Sequence, residues 1–219
     1  MSTQSEDRRA LFLMLSLLLF FIVGPFLSAN LVGEILTGFI LSWIMVAAIL
    51  ELAANTQFVR AAIPVAIACL ALSLLFYFYR SRTITFLYFG MLVLFLGLVA
   101  TGLFAYLGRK GAVTSGRLYG SVSLYFILAF LWHGIYNLIH TGYPEAFSVT
   151  GYAPGAELPR NIFLYYSMET LTTLGYGDIL PVHPVARSLA SLEAAAGVLY
   201  LAITVARLVS GYQQALKDQ

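Results

Sequence analysis

The sequence predicts an all-α membrane protein with six transmembrane helices, one shorter re-entrant helix and a glycine-rich return after it. Three observations carry this. The 219-residue chain is 60% hydrophobic and only 10% charged, against about a quarter charged in soluble domains, so it holds more apolar surface than one core can hide. Six stretches, 10–28, 31–53, 61–79, 83–107, 118–139 and 185–209, reach the ~20 mostly apolar residues that cross a bilayer. Between the last two lies an apolar, aromatic segment, 161–172, followed at once by Gly175, Tyr176 and Gly177.

That segment predicts the re-entrant element. As a helix it is about 18 Å long, while the hydrocarbon core is about 30 Å thick. It is too short to cross and too apolar for water. The glycines then break the helix at membrane depth, where irregular backbone is tolerated only if it is buried in protein or lines a water-filled cavity. A half-helix with a glycine-rich return is thus the expected form of a pore loop.

The spans divide the chain into a cytoplasmic N-terminus (1–9), a four-helix transmembrane domain (10–107), a cytoplasmic linker (108–117), a pore domain (118–210) and a cytoplasmic tail (211–219). Within the pore domain the expectation is an outer helix at 118–140, an outer loop at 141–160, a pore helix at 161–172, a filter at 173–178 and an inner helix at 184–210. Six spans put both termini on one side. With that side cytoplasmic, it holds Arg8, Arg9, Arg60, Arg109, Lys110, Arg117, Arg207 and Lys217, against Arg80, Arg82, Arg160 and Arg187 outside, which is the positive-inside orientation for a cell (inner) membrane protein. Arg8-Arg9 before an apolar run also fits a signal peptide, but Leu27-Ser28-Ala29 is a poor cleavage site, and the run is read as a span. The tail after the last span leaves no room for a soluble ligand-binding domain, so none is expected. The net charge of +2 is spread out and offers no basic patch for nucleic acid. The lone Cys69, inside an apolar run, is read as helix packing; one cysteine makes no intrachain disulfide.

The chemistry concentrates in Thr172-Thr173-Leu174-Gly175-Tyr176-Gly177-Asp178. Successive carbonyls aim at one axis only if alternate residues take left-handed or related dihedrals, which glycine accepts without a Cβ clash. Gly175 and Gly177 have that spacing. Thr173 adds a hydroxyl at the inner end, and Tyr176 is expected to point outward against Tyr165 and Tyr166. The C-terminus of the half-helix carries partial negative charge and favours a cation beyond it. The motif resembles that of filters built from four such loops, whose carbonyls replace an ion's water shell, and the chain has no second copy of it. A homotetramer with closed cyclic symmetry, embedded in membrane lipid, is therefore expected. Glu169, one turn before Thr172, and Asp178 are expected either to meet behind the filter, with one holding a proton, or to cap backbone groups separately.

The stretch Tyr165-Tyr166-Ser167-Met168-Glu169-Thr170-Leu171-Thr172-Thr173-Leu174-Gly175-Tyr176-Gly177-Asp178 resembles the pore of proton-activated and calcium-activated bacterial potassium channels, the former especially, with Leu174 where valine is usual. The run from Ala186-Arg187-Ser188-Leu189 through Glu193 to Ala206-Arg207-Leu208-Val209 resembles the inner helix of bacterial two-transmembrane-pore channels. The resemblance covers about 116–212 and implies a potassium-selective tetramer whose filter carbonyls replace the ion's water shell. It implies K+ coordination by Thr173, Leu174, Gly175, Tyr176 and Gly177, the ions themselves sitting at the first four, with filter support from Glu169, Thr172, Asp178, Tyr165 and Tyr166. No other cofactor is implied. Gly197, twenty residues beyond Gly177, falls at the family's gating-hinge position. A close helix contact is the other reading of that glycine. The same spacing makes Val198, Leu201, Ala202, Val205 and Ala206 candidate cavity-lining residues.

Glu193 is an acid inside a membrane helix, and such residues usually face the protein interior. A contact with the pore helix of the same or the next subunit is expected, with a cation-attracting role in the cavity as the alternative. The layout resembles voltage-gated channels, yet 83–107 contains no arginine or lysine, so little voltage dependence is expected. Glu34, Glu51, His133 and His140 are read as structural or interfacial, as are the aromatic residues at 77–79, Trp132 and Tyr136. His183, just beyond the filter, is a candidate for tuning the response to external pH. The competing functions are a nonselective cation channel and a non-conducting regulatory subunit. Potassium transporters that carry four pore loops in one chain fit poorly, since this chain has one. No paired ligands or nucleophile motif points to an enzyme.

Overall fold

The structure is a computed structural model that describes residues 3–27, 31–54, 56–79, 81–108, 114–153, 156, 158–159 and 161–217, without the side chains of 3, 25, 31, 32, 34, 35, 54, 77 and 211–217. The expectations placed on Arg80, Arg109, Lys110 and Arg160, on the Ser28-Ala29 cleavage site, and on the side chains of Glu34, Tyr77 and Lys217 lie outside the described residues. Seven helices run in order: α1 (Thr3–Leu27), α2 (Leu31–Glu51), α3 (Thr56–Phe78), α4 (Arg82–Leu107), α5 (Ser115–Gly142), α6 (Ile162–Leu171) and α7 (Pro184–Lys217). A short 3-10 turn at Leu52–Ala54 follows α2, and two three-residue strands, β1 (Phe147–Val149) and β2 (Ile179–Pro181), flank α6.

Among the described residues, four helical stretches are long and apolar enough to cross a membrane: Thr56–Phe76, Arg82–Leu107, Ser115–Gly142 and Pro184–Ser210. The chain is an all-α, multi-pass membrane protein. Leu36–Glu51 in α2 is apolar but shorter. Helix α1 is 25 residues long and begins at Thr3, so residues 3–9, expected as a free N-terminal segment, are helical. Helix α7 likewise runs on to Lys217, past the expected end at 210.

Several helix hydroxyl groups are satisfied locally. Ser16, Thr37, Ser42 and Thr101 each donate to the carbonyl four residues back, at 2.7–2.8 Å. Such back-bonding lets a polar side chain lie in hydrocarbon without an unmet donor. Pro64 inside α3 has no N–H to give the Arg60 carbonyl and weakens the helix there.

The described chain forms two compact units, and each draws on several helices. One comprises 1–63, 97–127 and 199–219. In it Phe12 packs on Trp43 with ring centroids 5.2 Å apart and Phe21 on Phe126 at 4.9 Å. The Tyr200 hydroxyl donates to the Ser121 carbonyl at 2.6 Å, and the Gly116 amide donates to Asp7 Oδ1 at 2.7 Å. The other unit comprises 64–96 and 128–198 and contains α6 and both strands. Its helices meet through Phe76 stacked on Tyr88 (5.3 Å) and Phe89 edge-on to His133 (5.7 Å). Arg82 donates to the Gly142 carbonyl at 2.9 Å. The division does not follow the sequential one into 10–107 and 118–210, because α3, α4, α5 and α7 each contribute to both units.

Candidate functional site

Helix α6 is ten residues, Ile162–Leu171, between Asn161 and Thr172. At 1.5 Å per residue it is about 15 Å long, a half-helix that does not span. Its buried face is Phe163, Leu164, Tyr166, Ser167, Glu169 and Leu171. Phe147 of β1 anchors this face, 4.7 Å from Phe163 and 5.6 Å from Tyr166, while Tyr136 of α5 lies 4.9 Å from Tyr166. Tyr166 thus packs α6 against α5 and β1, whereas Tyr165 is exposed and its hydroxyl donates to Asp178 Oδ2 at 3.0 Å. The aromatic pair expected to share one role is split by the helix face each residue occupies.

The end of α6 is a Schellman close. The Leu174 amide bonds to the Glu169 carbonyl at 2.8 Å and the Thr173 amide to the Thr170 carbonyl at 3.0 Å. The residue after the cap in this motif is left-handed and usually glycine. Here it is Thr173, at φ +58°. A β-branched residue in that region is a genuine outlier, and such strain clusters at functional sites. Gly175 follows at φ +59° and Gly177 at +81°, so every second residue of 173–177 is left-handed. Residues 172–177 are exposed in the single chain. Among the described residues no hydrogen bond reaches the carbonyl oxygens of 173–177.

The segment is held from behind and from beyond. Glu169 is buried (4% exposed), and its Oε1 accepts the Tyr176 amide at 2.7 Å. Asp178 acts on Glu169 electrostatically, and its buried Oδ1 has no hydrogen-bond partner. Thr172 returns its hydroxyl to the Met168 carbonyl at 2.6 Å. Past Asp178, β2 pairs antiparallel with β1, Phe147 opposite Pro181 and Val149 opposite Ile179. The Thr150 amide bonds to the Asp178 carbonyl at 2.8 Å, and the Val182 amide to the Ala146 carbonyl at 2.9 Å. This clamp was not legible in the sequence, where 141–160 reads as a plain loop.

Burial pushes the Glu169 carboxyl above the usual carboxylate range; the Tyr176 amide pulls it back, and Asp178 adds to the rise. A raised carboxyl contributes stability that is complete below its ordinary value of 4.5 and is lost as pH rises through the raised one. Glu169→Gln keeps an acceptor for the Tyr176 amide but has no proton to lose, so its melting temperature in detergent is expected to lose this pH dependence. Glu169→Ala leaves that amide unpaired, at about 1–3 kcal/mol, and is expected to melt lower at every pH. Thermal melts across this pH range check both, and melting unchanged in the two variants would sink the coupling.

The remaining predicted residues fall in two groups. Glu193 is fully buried and meets α6, with Oε1 2.5 Å from Ser167 Oγ, while Oε2 accepts the Tyr136 hydroxyl. Gly197 lies against the end of α6, where a Cβ would run into the Leu171 carbonyl. By contrast Val198, Leu201, Ala202, Val205 and Ala206 are exposed in the single chain. His183 stacks on Tyr143 at 4.4 Å and His140 packs on Phe163 at 5.3 Å. Sequence reasoning passed over Ser167 and treated Tyr136 as packing. Their signal is indirect: an acid in a membrane helix needs hydroxyl partners, but these lie 26 and 57 residues away along the chain.

Residues 157–214 match the family model described as ion channel. The match covers α6, the glycine-rich return, β2 and most of α7. A stretch of 48 residues is 35% identical to the inward rectifier potassium channel Kirbac3.1 of Paramagnetospirillum magnetotacticum. That stretch is 22% of this chain and only 16% of that relative's length. No solved structure matches the chain. The two similarities point to an ion channel and not to an enzyme.

Proposed function

We propose that the chain is one subunit of a homotetrameric, potassium-selective channel that conducts passively across the cell membrane and is largely independent of voltage. The observation that carries the reading is the segment 173–177, with alternate left-handed residues, exposed backbone and carbonyls free of hydrogen bonds at the end of a buried half-helix. Backbone carbonyls are strong acceptors that rarely go unpaired. A ring of them from four chains supplies the oxygen cage that takes the place of a potassium ion's hydration shell. In this reading K+ sits at Thr173, Leu174, Gly175 and Tyr176, with the partial negative charge of the α6 C-terminus favouring it from below. Similarity to an inward rectifier potassium channel supports the choice of ion.

Voltage independence follows from α4. Its single basic residue, Arg82, is at the first position and donates to the Gly142 carbonyl. Moving one charge through 100 mV is worth about 2.3 kcal/mol, and α4 has no ladder of charges to move. The test is purified protein in liposomes, with potassium flux measured against sodium flux, blocked by barium, at several imposed potentials. Barium-sensitive flux favouring potassium, with a shallow dependence on potential, is the expected result. Equal sodium flux would make it a nonselective cation pore; no flux would leave a non-conducting subunit; a steep voltage dependence would refute the reading of α4.

A further inference from the structure

The carboxyl of Glu193 is 0% exposed within a single chain, so a second copy cannot reach it. The groups that face it are Tyr136 from α5 and Ser167 from α6, with Tyr166 of α6 beside them. Among the described residues no arginine, lysine or histidine faces it. An unpaired carboxylate buried in this way is expensive, and a count of the hydroxyl hydrogens against the contacts offers a way to avoid the expense. Ser167 Oγ lies 2.9 Å from the Ala129 carbonyl oxygen and 2.5 Å from Glu193 Oε1. A serine hydroxyl has one hydrogen, and a carbonyl oxygen can only accept. If Ser167 gives its hydrogen to Ala129, its contact with Oε1 needs a hydrogen from the carboxyl. Tyr136 cannot supply it, because its single hydroxyl hydrogen is directed at Oε2. Every contact is satisfied once Glu193 carries a proton: Tyr136 donates to Oε2, Oε1–H donates to Ser167, and Ser167 donates to Ala129.

We propose that Glu193 is a neutral carboxylic acid donating a hydrogen bond to Ser167, and that this bond is a tie through which the inner helix α7 positions the pore helix α6. The tie has a second point of support. Ser167 and Leu171 are one turn apart on α6, Glu193 and Gly197 one turn apart on α7, and the two pairs meet, acid on hydroxyl and glycine on carbonyl. Two residues beyond Ser167, Glu169 holds the Tyr176 amide. A shift of α7 is therefore passed to 173–177 through bonded groups, with Glu193 as a positioning residue. This role rests on the channel reading; the protonation of Glu193 does not.

The experiment uses the full chain in lipid. Infrared difference spectra at neutral pH, wild type minus Glu193→Gln, are expected to show the carbonyl stretch of a protonated carboxyl that vanishes on substitution. A carboxylate band in its place overturns the proposal. In liposome flux, Glu193→Gln keeps the pattern of donors and acceptors and is expected to behave as wild type. Glu193→Ala and Ser167→Ala each strand a buried hydroxyl or acid and are expected to lose flux about tenfold. Ser167→Ala, which removes little volume, covers the case in which Glu193→Ala does not fold. A Gln variant as impaired as the Ala variant overturns the tie. A wild type without flux overturns the channel reading and the tie's role at the filter, while the infrared result still decides the proton.

Discussion

Gly177→Ala is expected to abolish potassium-over-sodium selectivity. Gly177 sits at φ +81°, beyond the +50 to +70° that L-residues accept in the left-handed region. Among the described residues, nothing beyond its two chain neighbours lies within 4 Å of the position a Cβ would take. The obstacle is thus the backbone dihedral and not crowding within the subunit. Left-handed backbone costs an L-residue about 1–2 kcal/mol, so in the proposed tetramer four altered chains would accumulate roughly 4–8 kcal/mol. That is enough for the segment to leave its alternating conformation, turning carbonyls away from the shared axis. Isotope flux in liposomes checks it: sodium uptake is expected to rise toward potassium uptake, or both to fall to background. Flux with unaltered selectivity would show that the dihedral at 177 does not set the filter.

Thr173 bears the same kind of strain without glycine's freedom, and the geometry around it explains why it is tolerated. The Schellman bonds of the Thr173 and Leu174 amides fix the chain there. The buried face of α6, packed against Phe147 and Tyr136, fixes the helix that ends at it. Strain of this size persists only where the surroundings over-determine it.

The legible part of the molecule is the part specified locally. The presence of a short helix at α6 (Ile162–Leu171) follows from a short apolar run before Gly175, and α3, α4 and α5 follow from length and hydropathy. What stayed hidden is specified by distant residues. Strands β1 and β2 are three residues each, too short to show alternation, and their pairing partners lie thirty or more positions apart along the chain. Thr173 looks like any threonine until the helix end places it at the left-handed position. The partners of Glu193 come from two other helices, and nothing in the periodicity of α5 marks Tyr136 as the residue that turns inward.

Gly197→Ala separates the two readings of that glycine with opposite signs. In an exposed helix interior the change stabilises by about 1 kcal/mol, since alanine is the better helix former. A glycine kept only as a hinge should follow that rule: a more stable chain, with impaired opening. The structure gives the other sign. Helix α7 runs unbroken from Pro184 to Lys217, and at Gly197 the new methyl would meet the Leu171 carbonyl, which is backbone and cannot swing aside. Overpacking of this kind costs about 1–3 kcal/mol, so the net effect is a loss. Because Leu171 is the last residue of α6, the displacement falls directly on Thr172 and Thr173. The expected result is a lower melting temperature in detergent together with faster decay of potassium flux. A raised melting temperature with reduced opening would instead assign Gly197 to bending.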